Sequence, residues 1–81
     1  MSAKEIKLLI GKFNDAHENS DYAEFMSRKE CLSKQEREEW EEDADMSENE
    51  LYYLAEKIKE LKPSKYMMEK YSELDYILTF A

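Results

Sequence analysis

One glycine, Gly11, and one proline, Pro63, are the only strong helix breakers in 81 residues, and that scarcity points to helices joined by short turns. Candidate helix starts are marked as clearly. Serine or aspartate is followed three residues later by glutamate in four places: Ser2 with Glu5, Asp21 with Glu24, Ser33 with Glu36 and Ser47 with Glu50. At such a start the first side-chain oxygen accepts from the free N–H three residues on. The glutamate carboxylate accepts in return from the N–H of the capping residue, so two unpaired donors are satisfied together.

Apolar periodicity fills in the elements. A first helix over about residues 3–16 places Ile6, Leu9, Ile10, Phe13 and Ala16 or His17 on one stripe, with the lysines largely off it. Gly11 lies within that pattern, either as a weak point costing about 1 kcal/mol relative to alanine or as a place of close helix approach. Residues 14–20 are polar and lack a periodic apolar stripe, so their latter part reads as a loop. A short second helix over 22–31 would bury Tyr22, Phe25 and Met26. Leu32 could staple the next start, with only the aliphatic stem of Arg37 as its inner partner. The third helix, 34–43, has Trp40 as its one large apolar residue, and so is pinned there and otherwise solvated. A fourth helix after Ser47 carries Leu51, Leu54, Ala55, Ile58 and Leu61 and ends before Pro63. Ser64 caps a last helix with Met67, Tyr71, Leu74 and Leu78 on a stripe flanked by Met68 and Ile77. The expectation is an all-α fold: one acidic domain over residues 1–81, a bundle of four to five short helices. Helices one, four and five form its core and helix two closes one side.

Apolar runs stop at Leu8, Leu9, Ile10 and at Tyr76, Ile77, Leu78, far short of the ~20 residues of a membrane span. A lone cysteine, Cys31, excludes an internal disulfide framework and suits a reducing cytoplasm, where it is expected to act as a small buried hydrophobe. Net charge is −8, and it is unevenly placed. Between residues 32 and 51, Glu36, Glu38, Glu39, Glu41, Glu42, Asp43, Asp45, Glu48 and Glu50 face only Lys34 and Arg37. That block repels phosphate and anionic lipid, which disfavours direct contact with nucleic acid or membrane and favours a basic protein surface.

No enzymatic activity, cofactor or metal is expected. His17 is the only histidine, so paired-histidine metal motifs cannot form, and it reads as part of a solvated loop or helix end. Asp43, Asp45 and Ser47 match the first three ligands of a calcium loop, but Glu48 stands where glycine is needed and Leu54 where the bidentate glutamate is needed. Phosphate loops and nucleophile elbows require glycines this chain lacks.

What remains is surface. Six tyrosines, one tryptophan and five methionines are too many for all to point inward. They are either ordinary exposed aromatics or an interface, where such side chains supply contact area at low entropy cost. Trp40 amid Glu38, Glu39, Glu41, Glu42 and Asp43, with Tyr52 or Tyr53 beside it, is the expected protein-binding site. The expected function is a small regulator or inhibitor, of the phage-inhibitor or immunity-protein type, that occupies a basic surface of a partner. Its sharper form is nucleic-acid mimicry, with carboxylates four residues apart, about 6 Å, imitating phosphates. The alternative is a structural protein whose residual apolar surface makes a homodimer or docks into an assembly. The spacing of Leu32, Ser33, Glu36, Trp40, Ala44, Asp45, Glu50 and Leu51 also resembles the Leu-Ser-x-x-Glu, aromatic, Ala-Asp and Glu-Leu pattern of the small Hha and YmoA nucleoid regulators. Lys62, Pro63 and Ser64 stand near their later Pro-Ser after a two-residue shift, and Arg37, Glu38 and Glu39 occupy positions that are apolar in that family's long helix. The resemblance implies no more than a regulator that binds another regulator.

Overall fold

Two long helices and two short ones make up the described residues, 3–80 of a computed structural model. They are α1 (Ala3–Ser27), α2 (Lys34–Glu60), α3 (Lys65–Lys70) and α4 (Glu73–Leu78), with no strand among the described residues. The fold is all-α. Ile6, Ile10, Phe13 and Ala16 of α1 meet Leu51, Leu54, Ala55 and Ile58 of α2, and Met67, Leu74 and Ile77 close the core from the C-terminal helices. Leu9, Leu61, Met68, Tyr71 and Leu78 pack half-buried against it. These are the stripes that periodicity picks out for the first and fourth helices; in the C-terminal part Ile77, read as flanking, is buried, and Tyr71 and Leu78, read as on the stripe, are half-buried.

The helix count is corrected. Residues 14–20 are helical, so the expected first and second helices are one element, and residues 44–47 are helical, so the third and fourth are one as well. Asp21 with Glu24 and Ser47 with Glu50 therefore lie inside helices and cap nothing. Ser2 lies outside the described residues. The reason for continuity is a seam of small side chains. Ala16, Ser20, Ala23 and Ser27 continue the α1 stripe at steps of four and three residues, and Ala44 and Ser47 do the same on α2. Ala16 and Ala23 are buried, and both serines of α1 and both small residues of α2 are half-buried. Small side chains let two helices pack along their length without the large apolar residues whose absence suggests a loop.

The same seam turns Tyr22 and Phe25 outward. Both were expected in the core and both are exposed, with Met26 half-buried and Ala23 in the buried place. Cys31, expected to be buried, is exposed in the turn between α1 and α2. That turn is held by Arg37, whose Nη2 donates to the Lys29 carbonyl at 3.1 Å; Leu32 is half-buried.

At Ser33 the capping box is real. The Glu36 N–H donates to the Ser33 hydroxyl at 3.2 Å and the Ser33 N–H donates to Glu36 Oε1 at 3.1 Å. These contacts, the backbone one first, hold the Glu36 carboxyl below the usual carboxylate range. Because the folded value is lowered, its support of α2 is complete above the ordinary glutamate value and fades as pH falls through the lowered one. The far end of α2 closes at Leu61. Lys62 then takes a left-handed φ of 50° before Pro63, a position glycine favours after a helix.

The expected last helix is two. Ser64 caps α3, accepting from the Met67 N–H at 3.3 Å, but Tyr71 leaves helical geometry at φ −114° and ψ 93°. The chain turns there, and α4 lies against both α1 and α2. No glycine or proline marks the break.

Gly11 is exposed, and a Cβ built on it meets nothing within 4 Å. It is the weak point and not a helix contact. Gly11→Ala is expected to raise stability by about 1 kcal/mol in urea titration; an unchanged or lower midpoint would contradict this account of the position.

Candidate functional site

At 1.5 Å per residue, α1 and α2 are each about 40 Å long, and the molecule measures 48 × 19 × 18 Å. The core occupies one end. Beyond it, residues 17–50 form a two-helix arm that buries only Ala23. This arm holds 13 carboxylates and 4 Lys or Arg, a balance of −9, whereas the rest of the chain holds 7 and 8. The acidic block of the sequence is thus a discrete structural half.

Rotation of 100° per residue spreads the block around α2. Glu38 and Glu42 point away from α1. Glu41 falls on one flank with Asp45 and Glu48, and Asp43 on the other with Glu50. All of these residues, and Glu39, are exposed. None makes an ion pair within the arm among the described residues, where Arg28 pairs with Glu24 and His17 with Asp21. Glu39 accepts from Gln35 at 3.5 Å. Tyr52 and Tyr53 are not beside Trp40: twelve residues separate Tyr52 from it, about 18 Å along the axis. Tyr52 packs its ring edge-on to Phe80 at 5.5 Å, and Tyr53 lies under Lys57 Nζ at 5.5 Å.

Trp40 is half-buried, and its neighbour is one the sequence does not announce. The Tyr22 ring of α1 meets the indole at 5.7 Å and 81°. With Asp43, Met46 and Glu50, these rings line a groove of about 380 Å³ floored by Ala23. On the opposite flank a groove of about 410 Å³ runs between α1 and α2, lined by Asp21, Glu24, Glu41, Asp45 and Glu48.

His17 borders that second groove. It lies inside α1, not in a loop or at a helix end, and its ring is fixed on both sides: Nε2 is 2.9 Å from the Tyr76 hydroxyl and Nδ1 is 3.3 Å from Asp21 Oδ2. Tyr76 in turn packs edge-on to Phe80 at 5.3 Å, and Phe80 edge-on to Phe13 at 5.3 Å. The imidazole joins the base of the arm to α4.

Among the described residues no three His, Cys, Asp or Glu side chains are grouped to hold a metal ion. Asp43, Asp45 and Ser47, the partial calcium pattern, sit at successive two-residue steps of a continuous helix and diverge. No helix among the described residues is long and apolar enough to cross a membrane.

No family model matches the chain, and no curated protein or solved structure matches it. What is defined is a class of architecture: an all-α hairpin with a packed base and an acidic, partly aromatic arm.

Proposed function

We propose that the chain is a small non-enzymatic cytoplasmic regulator or inhibitor that binds a partner protein, its acidic arm lying on the partner's basic surface. The observation that carries this reading is the segregation of charge, −9 on residues 17–50 against a nearly neutral base. Charge gathered on one half of an elongated molecule orients encounter, and it discriminates against partners of like sign. The exposed Tyr22, Phe25 and Met46 on the same arm supply the apolar contact that charge alone lacks. Carboxylates on the outer face and both flanks of α2 also favour the sharper form, in which the partner handles nucleic acid and the arm stands in for phosphates.

Capture of partners from a cell lysate at low salt and at about 0.5 M salt tests the reading, because screening shortens the reach of exposed charges. Retention is expected to fall at least about tenfold at high salt and in the variant carrying Glu38→Gln, Glu39→Gln, Glu41→Gln and Glu42→Gln. Those residues are exposed, so the fold tolerates the change. Equal retention under all conditions refutes the proposal.

A further inference from the structure

The molecule treats its aromatic rings unequally. Lys29 lies over Phe25 at 5.6 Å, Lys57 over Tyr53 at 5.5 Å, and Lys70 over Tyr66 and Tyr71 at 5.8 and 5.6 Å. Trp40, whose indole is the strongest cation acceptor of the aromatic side chains, has no such partner among the described residues, nor has Tyr22. Yet this pair sits in the most negative half of the protein. Asp43 and Glu50 line the same groove, and no Lys or Arg does.

We propose that this groove seats an arginine side chain of the partner protein, an assignment that rests on the binding role argued above and adds the residue it grips. In an edge-to-face pair only one of the four ring faces is used by the pair itself, and Tyr22 is 57% exposed. Open ring surface is therefore available to a planar cation. Asp43 is one helical turn from Trp40 on the same flank, so a guanidinium stacked on the indole has a carboxylate within reach for paired hydrogen bonds. Arginine suits the site better than lysine, because its flat, weakly hydrated group stacks on a ring and pairs with a carboxylate at once. The Met46 thioether, 63% exposed at the rim, offers adaptable apolar contact to the arginine stem.

Trp40 is the only tryptophan, so its fluorescence reports this groove and nothing else. The probe is a tetra-arginine peptide, compared with tetralysine and tetracitrulline. Saturable change is expected with arginine, about threefold or more weaker binding with lysine, and no response with the uncharged citrulline peptide. The Asp43→Asn, Glu50→Gln variant should bind tetra-arginine about tenfold more weakly, and Tyr22→Ala likewise, with helical circular dichroism unchanged in both. The Glu41→Gln, Glu48→Gln variant removes the same charge from the other flank and should lose less than about threefold. Equal losses from the two charge variants, equal binding of lysine, or a silent Trp40 overturns the arginine seat. Each of those results leaves the acidic-arm reading in place, because that reading falls only if lysate capture ignores salt and charge.

Discussion

Phe13→Ala is expected to cost about 3–5 kcal/mol, the largest loss available from one side chain in this fold. Phe13 is 1% exposed and lies where three elements meet. Its ring packs edge-on to Phe80 at 5.3 Å and to Tyr76 at 6.3 Å, and tilts against His17 at 6.3 Å. Truncation would leave a cavity that α1 and α4, held by Ile10, Leu74 and Ile77, cannot close without losing contacts of their own. An 81-residue domain has roughly 4–12 kcal/mol in total, so the loss is a large fraction of the stability and brings the variant close to unfolding if the protein lies at the lower end of that range. Urea titration followed by circular dichroism measures the effect, with Phe13→Leu as a milder control. A loss below about 1 kcal/mol would mean that the aromatic cluster is not the joint between base and C-terminal helices.

Glu18→Pro is expected to cost about 3 kcal/mol or more. Glu18 is exposed and lies well inside α1, so its side chain contributes little to packing. Proline there removes an N–H that donates four residues back and pushes its ring against the carbonyl of Asn14. Glu18→Ala separates backbone from side chain and should leave stability unchanged or slightly raised, since alanine is the better helix former. Were the latter part of residues 14–20 a loop, as the polarity of that stretch suggests, the proline variant would be nearly neutral. The result therefore decides directly between a continuous helix and two short ones. Loss of stability should be accompanied by a change in Trp40 fluorescence, because the arm seam that positions Tyr22 against the indole depends on α1 being unbroken.

The large apolar side chains were legible from spacing alone. Ile6, Ile10 and Phe13, then Leu51, Leu54 and Ile58, recur at helical intervals and form the core. The Ser33 box and the Ser64 cap were equally plain, because capping chemistry is local. Where the same chemistry misled, at Asp21 and Ser47, a local signal was outweighed by packing. The flanking Ala16, Ser20, Ala23, Ala44 and Ser47 allow the helices to approach along the arm, and an interior serine or aspartate simply turns its side chain aside. Alanine and serine carry little weight in an apolar pattern, so this seam has no strong signature in one strand of sequence.

The candidate site divides in the same way. An acidic segment around Trp40 is visible in the residue order, but α2 distributes those carboxylates over an outer face and two flanks, and moves Tyr52 and Tyr53 well away. Tyr22 was expected to be buried. It is instead the ring that meets Trp40 across eighteen positions of chain. His17, unremarkable as an isolated polar residue, becomes a contact to Tyr76 fifty-nine residues later. By itself the sequence determined the all-helical character of the described residues, the apolar stripes that make the base, and the segregation of negative charge, because each follows from local propensity, periodicity or composition. Tertiary structure alone decided how many helices there are, which aromatics face outward and which side chains share a groove. Those outcomes depend on the distance between two helix surfaces, which is set by pairs of residues far apart in the chain.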